Sequence, residues 1–236
     1  CDYAAIAREA QAAVSAAEQA GRRPAEDDLL RLADAQQRTN NTAGYLATFE
    51  KLLTHYPKKE YWNAYLARVM RKPGFADRLG LDVMRLKLAT GNLTGADEYM
   101  EMAQLALQAG LPAEGRRIVE RGIAAGVLGT GAEAARHQRL LDLAIKQEGE
   151  VSASLEKATA DALAAKDGNA LVQVGQVLVS MGQAERGAQL IEQGIAKGGL
   201  RRPDEAKLRL GQALLATGKN KPKALQTLRS VQGTDG

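Results

Sequence analysis

The chain has 236 residues, of which 45% are hydrophobic but only 4% aromatic. A core with so few rings has to be built from Ala, Leu, Val and Ile, as in helix-on-helix packing where small residues let backbones approach closely. The single cysteine, Cys1, excludes an internal disulfide framework and a cysteine-based zinc site. With only two histidines as well, the composition disfavours an enzyme and predicts no cofactor and no metal. No apolar run approaches the roughly 18–20 residues that a membrane-spanning helix requires.

The net charge is +4 at pH 7, from 32 basic and 28 acidic residues. The densest basic stretches, 57–59, 199–203 and 219–223, lie where turns are expected and have no aromatic residues interleaved with them. This pattern favours solvated loop charge and disfavours nucleic acid as a partner. An acidic protein partner stays open.

Helix-breaking residues divide the chain at regular intervals. In chain order they are Asn40, Gly74, Gly110, Gly149, Gly182 and Gly218. Glycine, and after it asparagine, accepts the left-handed conformation that ends a helix, so each site predicts the turn of a helix hairpin. The predicted units are a partial hairpin at 1–20 and hairpins at about 26–57, 60–91, 96–128, 131–166, 168–199 and 203–232, within a single domain over 1–236.

Two of these hairpins are copies of each other. Gln104–Leu128 and Gln176–Leu200 align without gaps at an offset of 72, with nine identical positions, four of them glycine. Because 72 is twice 36, the offset implies a repeat of about 36 residues, and repeats of this length build stacked architectures.

An apolar residue followed by a small one recurs in the first helix of the hairpins, at Leu32-Ala33, Leu66-Ala67, Met102-Ala103, Val174-Gly175 and Leu210-Gly211. The second helix carries a large residue at Phe49, Val83, Val119, Ile191 and Leu228. In these positions the sequence resembles the tetratricopeptide repeat (TPR) family. The resemblance implies an all-α fold, a right-handed α-solenoid of stacked antiparallel helix hairpins. Residues 130–166 depart most from the pattern.

A finer resemblance rests on the stretch Glu60–Gln138 and on KGGLRRPDEAKLRLG, which begins at Lys197. Both are similar to exported proteobacterial TPR proteins. This implies a periplasmic location, with a cytoplasmic one as the alternative, and TonB-type envelope machinery as a partner. Residues 1–20 read as a second helix whose first helix is missing. We therefore expect a fragment of a longer chain, the alternative being that Cys1 is the lipid-bearing first residue of a lipoprotein.

In TPR proteins the first helices line the concave side of the superhelix. The resemblance thus implies a binding groove in this chain, which we call the predicted groove. Its residues are Asp27, Leu30, Asp34, Arg38, Ala64, Arg68, Arg71, Met100, Gln104, Gln108, Val172, Gln176, Val179, Ser180, Leu208, Gln212 and Leu215. The amide and medium apolar side chains suit an extended or helical peptide held by several weak contacts. The Lys, Asn and Arg arrangement by which chaperone-binding TPR domains hold a carboxyl terminus is not recognisable among them.

The sequence therefore predicts a non-catalytic scaffold for protein–protein or protein–peptide interaction in the bacterial cell envelope. The alternative is the recognition module of a larger envelope enzyme or assembly factor whose catalytic part lies outside this chain. Gly129-Thr130-Gly131 fits the start of a dinucleotide-binding turn, but it follows a helix end rather than a strand, so we expect a plain interhelix loop. The oligomeric state stays open.

Overall fold

The structure is a computed structural model that describes residues 2–235. Every regular element in this range is helical, which confirms the predicted all-α fold. The chain divides into two compact units, with the boundary in the sequence between Thr94 and Gly95. The single solenoid predicted over 1–236 therefore stays a prediction. The first unit holds α1 (Tyr3–Gln19), α2 (Glu26–Arg38), α3 (Thr42–His55), α4 (Lys59–Met70), a 3₁₀ turn (Asp77–Leu79) and α5 (Gly80–Ala89). The second unit holds α6 (Ala96–Gln108), α7 (Pro112–Ala124), α8 (Ala134–Ala164), α9 (Asn169–Ser180), α10 (Ala184–Lys197), α11 (Pro203–Thr217) and α12 (Lys221–Arg229).

In the first unit each helix packs against the next along the chain. The α2–α3 hairpin reverses at Asn40, whose φ of 54° is left-handed, as predicted. The side chain of Asn41 then caps α3 by accepting a hydrogen bond from Gly44 N (2.9 Å), which satisfies one of the free N–H groups at the helix start. The core between α1, α2 and α3 is formed mainly by Ala10, Val14, Leu29, Leu32, Phe49 and Leu52.

The predicted copies in the second unit are the α6–α7 and α9–α10 hairpins. Their turns lie at the equivalent Gly110 and Gly182, with φ of 74° and 83°. Within the α9–α10 hairpin the helices cross at Gly175 and Gly187: a Cβ at Gly187 would lie 2.6 Å from Gly175 O. The shared glycines therefore serve two purposes, to reverse the chain and to let two backbones touch, which explains why small residues recur at these positions.

The turn predicted at Gly149 is wrong. The helix α8 runs through this residue without interruption for 31 residues, so the predicted hairpin at 131–166 is one long helix. A Cβ at Gly149 would meet nothing within 4 Å, and the residue is exposed. A glycine inside a helix costs only about 1 kcal/mol relative to alanine, and no proline lies nearby to stop the helix.

The two halves of α8 are buried separately. His137, Leu140 and Ala144 are buried in the first half, and Leu155, Thr159 and Ala162 in the second, at helical spacing in each case. Residues 145–154 between them include no buried one. The helix α8 contacts α6 and α7 as well as α9. Its two buried halves therefore replace the two helices of the predicted hairpin, without a turn between them.

The last described residues fold back onto the start of α11. Asp235 accepts hydrogen bonds from the backbone N–H groups of Asp204 (3.2 Å) and Glu205 (2.6 Å). Asp204 in turn accepts from Thr234 N (2.9 Å) and Thr234 Oγ1 (2.8 Å) and from Gln232 N (3.2 Å). The Thr234 hydrogen bonds are the main reason that the pKa of Asp204 lies well below its usual range.

Candidate functional site

The predicted groove residues of the first unit lie on α2 and α4, and their accessibility differs. Asp27, Asp34 and Arg38 are exposed. Arg38 Nε donates to Asp34 (3.0 Å to Oδ2), which raises the pKa of Arg38, and its guanidinium lies 4.9 Å from the centroid of the Tyr3 ring. The charges of Asp34 and Arg38 are thus paired with each other, and Arg38 is also stacked on a neighbouring helix. Leu30 packs partly buried against the α1–α3 core.

On α4 the predicted groove residues are engaged as well. Ala64 packs partly buried against the same core, and the guanidinium of Arg68 lies 5.1 Å from the centroid of the Tyr45 ring on α3. Arg71 is exposed and forms the C-cap of α4. The first unit therefore offers mainly Asp27 and Arg71 as exposed groove candidates whose side chains make no ion pair or ring contact within residues 2–235.

In the second unit three of the predicted groove residues belong to the core instead. Met100 on α6 is 3% exposed, and Val172 and Ser180 on α9 are 9% and 6% exposed. The Ser180 hydroxyl donates to Val177 O (2.6 Å) within its own helix. The reason for the error on α9 is that this helix packs against α8, α10 and α11 at once, so seven of its 12 residues are buried.

The remaining candidates of the second unit lie nearer the surface. Gln104 and Gln108 are exposed on α6, and Leu215 is 44% exposed on α11. Val179, Leu208 and Gln212 are half-buried, and Val179 packs against the cluster of apolar side chains between α9, α10 and α11. Gln176 is half-buried too, and it lines a pocket.

This pocket has a volume of about 250 Å³ and lies between α9 and α11; we call it the α9–α11 pocket. Its polar lining includes Gln173 and Gln176 from α9, Arg201 and Arg202 from the loop before α11, and Glu205 and Arg209 from α11. Buried Val172 contributes an apolar part of the wall. Three arginines and one glutamate thus line a single concavity, which gives its lining a net positive charge.

The guanidinium of Arg209 is fixed in the α9–α11 pocket, where the residue is only 7% exposed. It donates to Glu205 Oε1 (3.0 Å) and to Gln212 Oε1 (3.1 Å) on the same helix. Arg202 is exposed, and its Nε lies 3.9 Å from Glu205 Oε2. Glu205 therefore orients two of the three arginines, one buried and one at the mouth.

The loop that carries Arg201 and Arg202 is tied to the start of α9. Asn169 Nδ2 donates to Gly199 O (3.0 Å), and Asn169 Oδ1 accepts from Arg201 N (3.0 Å). A backbone hydrogen bond from Gly168 N to Gly198 O (2.8 Å) adds to this connection. These contacts fix the backbone of the loop beside the start of α9, so the Cα positions from which the two exposed arginines extend are set by hydrogen bonds.

The amides of α9 differ in how they are used. Gln173 Nε2 donates to Ala109 O (3.2 Å) at the end of α6, whereas the side-chain amide of Gln176 has no hydrogen-bond partner within residues 2–235. Of the predicted groove residues, Gln176 and Val172 line the pocket. Sequence reasoning missed Asn169, Gln173, Arg201, Arg202, Glu205 and Arg209 as pocket residues. The available signal is the basic stretch 199–203, whose place in a turn predicts solvated loop charge instead.

Metal sites and membrane spans are two further kinds of feature that bear on function among residues 2–235. No group of three or more His, Cys, Asp or Glu between residues 2 and 235 is placed to hold a metal ion. Across the same range, none of the helices combines the length and the apolar character needed to cross a membrane. His137 accepts a hydrogen bond from Gly129 N (3.0 Å), so it fixes the loop before α8, and Gly129-Thr130-Gly131 joins two helices.

Comparison with known proteins gives two short matches. The sequence profile of the tetratricopeptide repeat family matches residues 29–59 and 205–234. The first match covers most of the α2–α3 hairpin, and the second covers most of α11, all of α12 and the residues that fold back after it. TPR repeats generally mediate protein–protein interaction. No curated protein matches the chain.

Proposed function

We propose that this chain is a non-catalytic scaffold whose second unit binds an extended peptide segment of a protein partner along α6, α9 and α11. The observation that carries the proposal is the α9–α11 pocket, where polar groups from two first helices and a fixed loop converge. A volume of about 250 Å³ lies below the range of about 300–1,000 Å³ that is usual for cofactor and small-molecule sites. It suits a single side chain of a longer ligand.

The TPR matches support this function, because such repeats generally act by binding proteins. Exposed Gln104 and Gln108 on α6 extend the polar surface beyond the pocket within the same unit. Several weak contacts spread over successive helices are the usual way in which repeat proteins hold extended ligands.

The proposal includes a location and a class of partner. The resemblance of 60–138 and 197–211 to exported proteobacterial TPR proteins supports the periplasm of a bacterial envelope, with a component of TonB-type machinery as partner. A catalytic domain in the full-length protein would instead make this chain its recognition module. Fractionation of the native host together with the full-length gene sequence distinguishes these cases.

Peptide binding is tested by selecting displayed random 12-residue peptides on the immobilised chain. We expect peptides that bind the wild type and lose at least about tenfold in affinity, or about 1.4 kcal/mol, when Gln104, Gln176 and Gln212 are changed to Glu. The matched control changes the exposed or half-buried Gln147, Gln193 and Gln226 to Glu, which adds the same charge on helices outside the proposed surface. Failure to select any peptide, or equal losses in both triple variants, rejects the function.

A further inference from the structure

We infer that the α9–α11 pocket is a carboxylate-binding site that takes the side chain of a glutamate from the bound peptide. The inference rests on the proposed function and adds to it the chemistry of the ligand. The first observation is the positive charge of the lining, which contains three arginines and a single glutamate. A planar guanidinium matches a carboxylate with two parallel N–H···O hydrogen bonds, so this lining recognises an acidic group rather than a basic or neutral one.

The three arginines occupy different depths. Arg209 is buried and held by Glu205 and Gln212, whereas Arg201 and Arg202 are exposed at the mouth. A ligand carboxylate that enters therefore meets Arg201 and Arg202 directly. Arg209 acts as a positioning residue, because it fixes Glu205, which in turn lies 3.9 Å from Arg202.

The backbone that carries Arg201 and Arg202 is preorganised, which removes the cost of ordering the loop on binding. Asn169 fixes the backbone of Arg201, and the Gly168–Gly198 hydrogen bond holds the loop to the start of α9. The side-chain amide of Gln176 has no partner among residues 2–235 and faces the same pocket, so it is a ready donor for the second carboxylate oxygen.

Depth and volume favour a glutamate side chain over a carboxyl terminus. The two methylene groups of glutamate let the carboxylate reach the arginines of the pocket while the peptide backbone stays outside. A terminal carboxylate is attached directly to the main chain, so the chain itself would have to enter a space of about 250 Å³.

The test is an NMR titration of the full ¹⁵N-labelled chain with N-acetyl-L-glutamate α-amide, in which the side chain is the only carboxylate. We expect saturable shifts of the backbone amides of Gln176, Arg201 and Arg202. The isosteric neutral probe, N-acetyl-L-glutamine α-amide, should bind at least about tenfold more weakly, because it lacks the charge-assisted hydrogen bonds. Increasing salt should weaken the glutamate probe, since the mouth of the pocket is exposed.

The variant R201Q/R202Q should lower the affinity for the glutamate probe about tenfold while leaving the melting temperature unchanged, since both side chains are exposed. The matched control K221Q/R229Q removes two exposed charges from α12, outside the pocket, and should change the affinity less than about twofold. Equal losses in the two variants, or equal binding of the two probes, would overturn the inference.

Two further probes decide the source of the anion. One is N-acetyl-L-glutamine, whose only carboxylate is terminal, and the other is inorganic phosphate. If either binds more tightly than the glutamate probe, the inferred glutamate site is also overturned. The experiments distinguish failure of the inferred glutamate site from failure of the proposed peptide binding. Selected peptides without enrichment in glutamate reject the glutamate site and leave peptide binding intact. A glutamate probe that binds when no peptide can be selected rejects peptide binding and leaves a carboxylate site.

Discussion

The change Gly149→Ala tests whether α8 is one continuous helix. In the structure Gly149 lies in the exposed middle of α8, and a Cβ there would meet nothing within 4 Å. Alanine therefore adds no clash and gains the full difference in helix propensity, about 0.8–1.0 kcal/mol in the free energy of unfolding. If residue 149 were instead a left-handed hairpin turn, the same Cβ would cost about 1–2 kcal/mol. The two structures predict opposite signs.

A matched control is Gly182→Ala. A Cβ at Gly182 would also meet nothing within 4 Å, but this residue has a φ of 83°. The two substitutions thus differ in backbone conformation and not in available space. Gly182→Ala should lower the free energy of unfolding by about 1–2 kcal/mol.

The assay is urea denaturation followed by circular dichroism at 222 nm, together with hydrogen exchange of residues 145–154. For a chain of this size, about 1 kcal/mol corresponds to roughly 2–4 °C in melting temperature. Gly149→Ala should raise the midpoint and slow exchange in the segment, because the central turn of the helix opens less often. A lowered midpoint of the kind expected for Gly182→Ala would refute the continuous helix.

Two further predictions concern the second unit. Gly187→Ala should lower the free energy of unfolding by about 1–3 kcal/mol in the same assay despite the better helix propensity, because its Cβ would lie 2.6 Å from Gly175 O and backbone cannot move cheaply; an increase would show that α9 and α10 separate freely. Asp204→Asn should be less stable than the wild type at pH 7. The pKa of Asp204 is lowered by folding, so its carboxylate stabilises the folded state above the ordinary value of 3.8 and this contribution is lost as the pH falls towards the lower folded value. The difference between wild type and variant in urea midpoint should therefore narrow between pH 5 and pH 2, and a constant difference would contradict the assignment.

The turns show how far sequence reasoning reaches. Asn40, Gly110, Gly182 and Gly218 all have positive φ, as the hairpin turns require. Gly149 is the same residue type at a similar spacing, yet it lies inside a helix. A glycine permits a turn without imposing one, so the spacing of glycines alone cannot decide whether a helix ends at a given glycine. The decisive property is burial on both sides of the residue, which only the packing of α8 against α7 and α9 reveals.

The candidate site was predictable to a smaller extent. The positions of first helices follow from the repeat, and Gln176 does line a pocket. Which face of α9 stays open, however, depends on the neighbours that cover it, and α9 is apolar over most of its surface. Met100, Val172 and Ser180 were therefore placed in the groove although they are buried. The place of Arg201 in the pocket lining was not predictable for another reason: the contacts of Asn169 with the loop connect residues that are about 30 positions apart.

The internal repeat indicates which residues of the second unit differ between the two copies. At the offset of 72, Gln104 corresponds to Gln176, and the glycines that reverse and cross the helices are shared. Immediately after the aligned copies the residues diverge: Arg201 and Arg202 stand where the first copy has Gly129 and Thr130.

The divergence continues into the next helix. Arg209 stands at the offset position of His137, which is buried and accepts from Gly129 N to fix its own loop. In the first copy, the contact between Gly129 and His137 thus stabilises the chain. In the second copy, the corresponding Arg201 and Arg209 line the pocket. Arg209 is explained by its hydrogen bonds to Glu205 and Gln212. The exposed Arg201 and Arg202 are instead explained by the carboxylate inferred above. The change that would make the copies alike, R201G/R202T, should consequently lower the affinity for the glutamate probe at least about tenfold, as R201Q/R202Q does, while the α9–α10 hairpin stays folded.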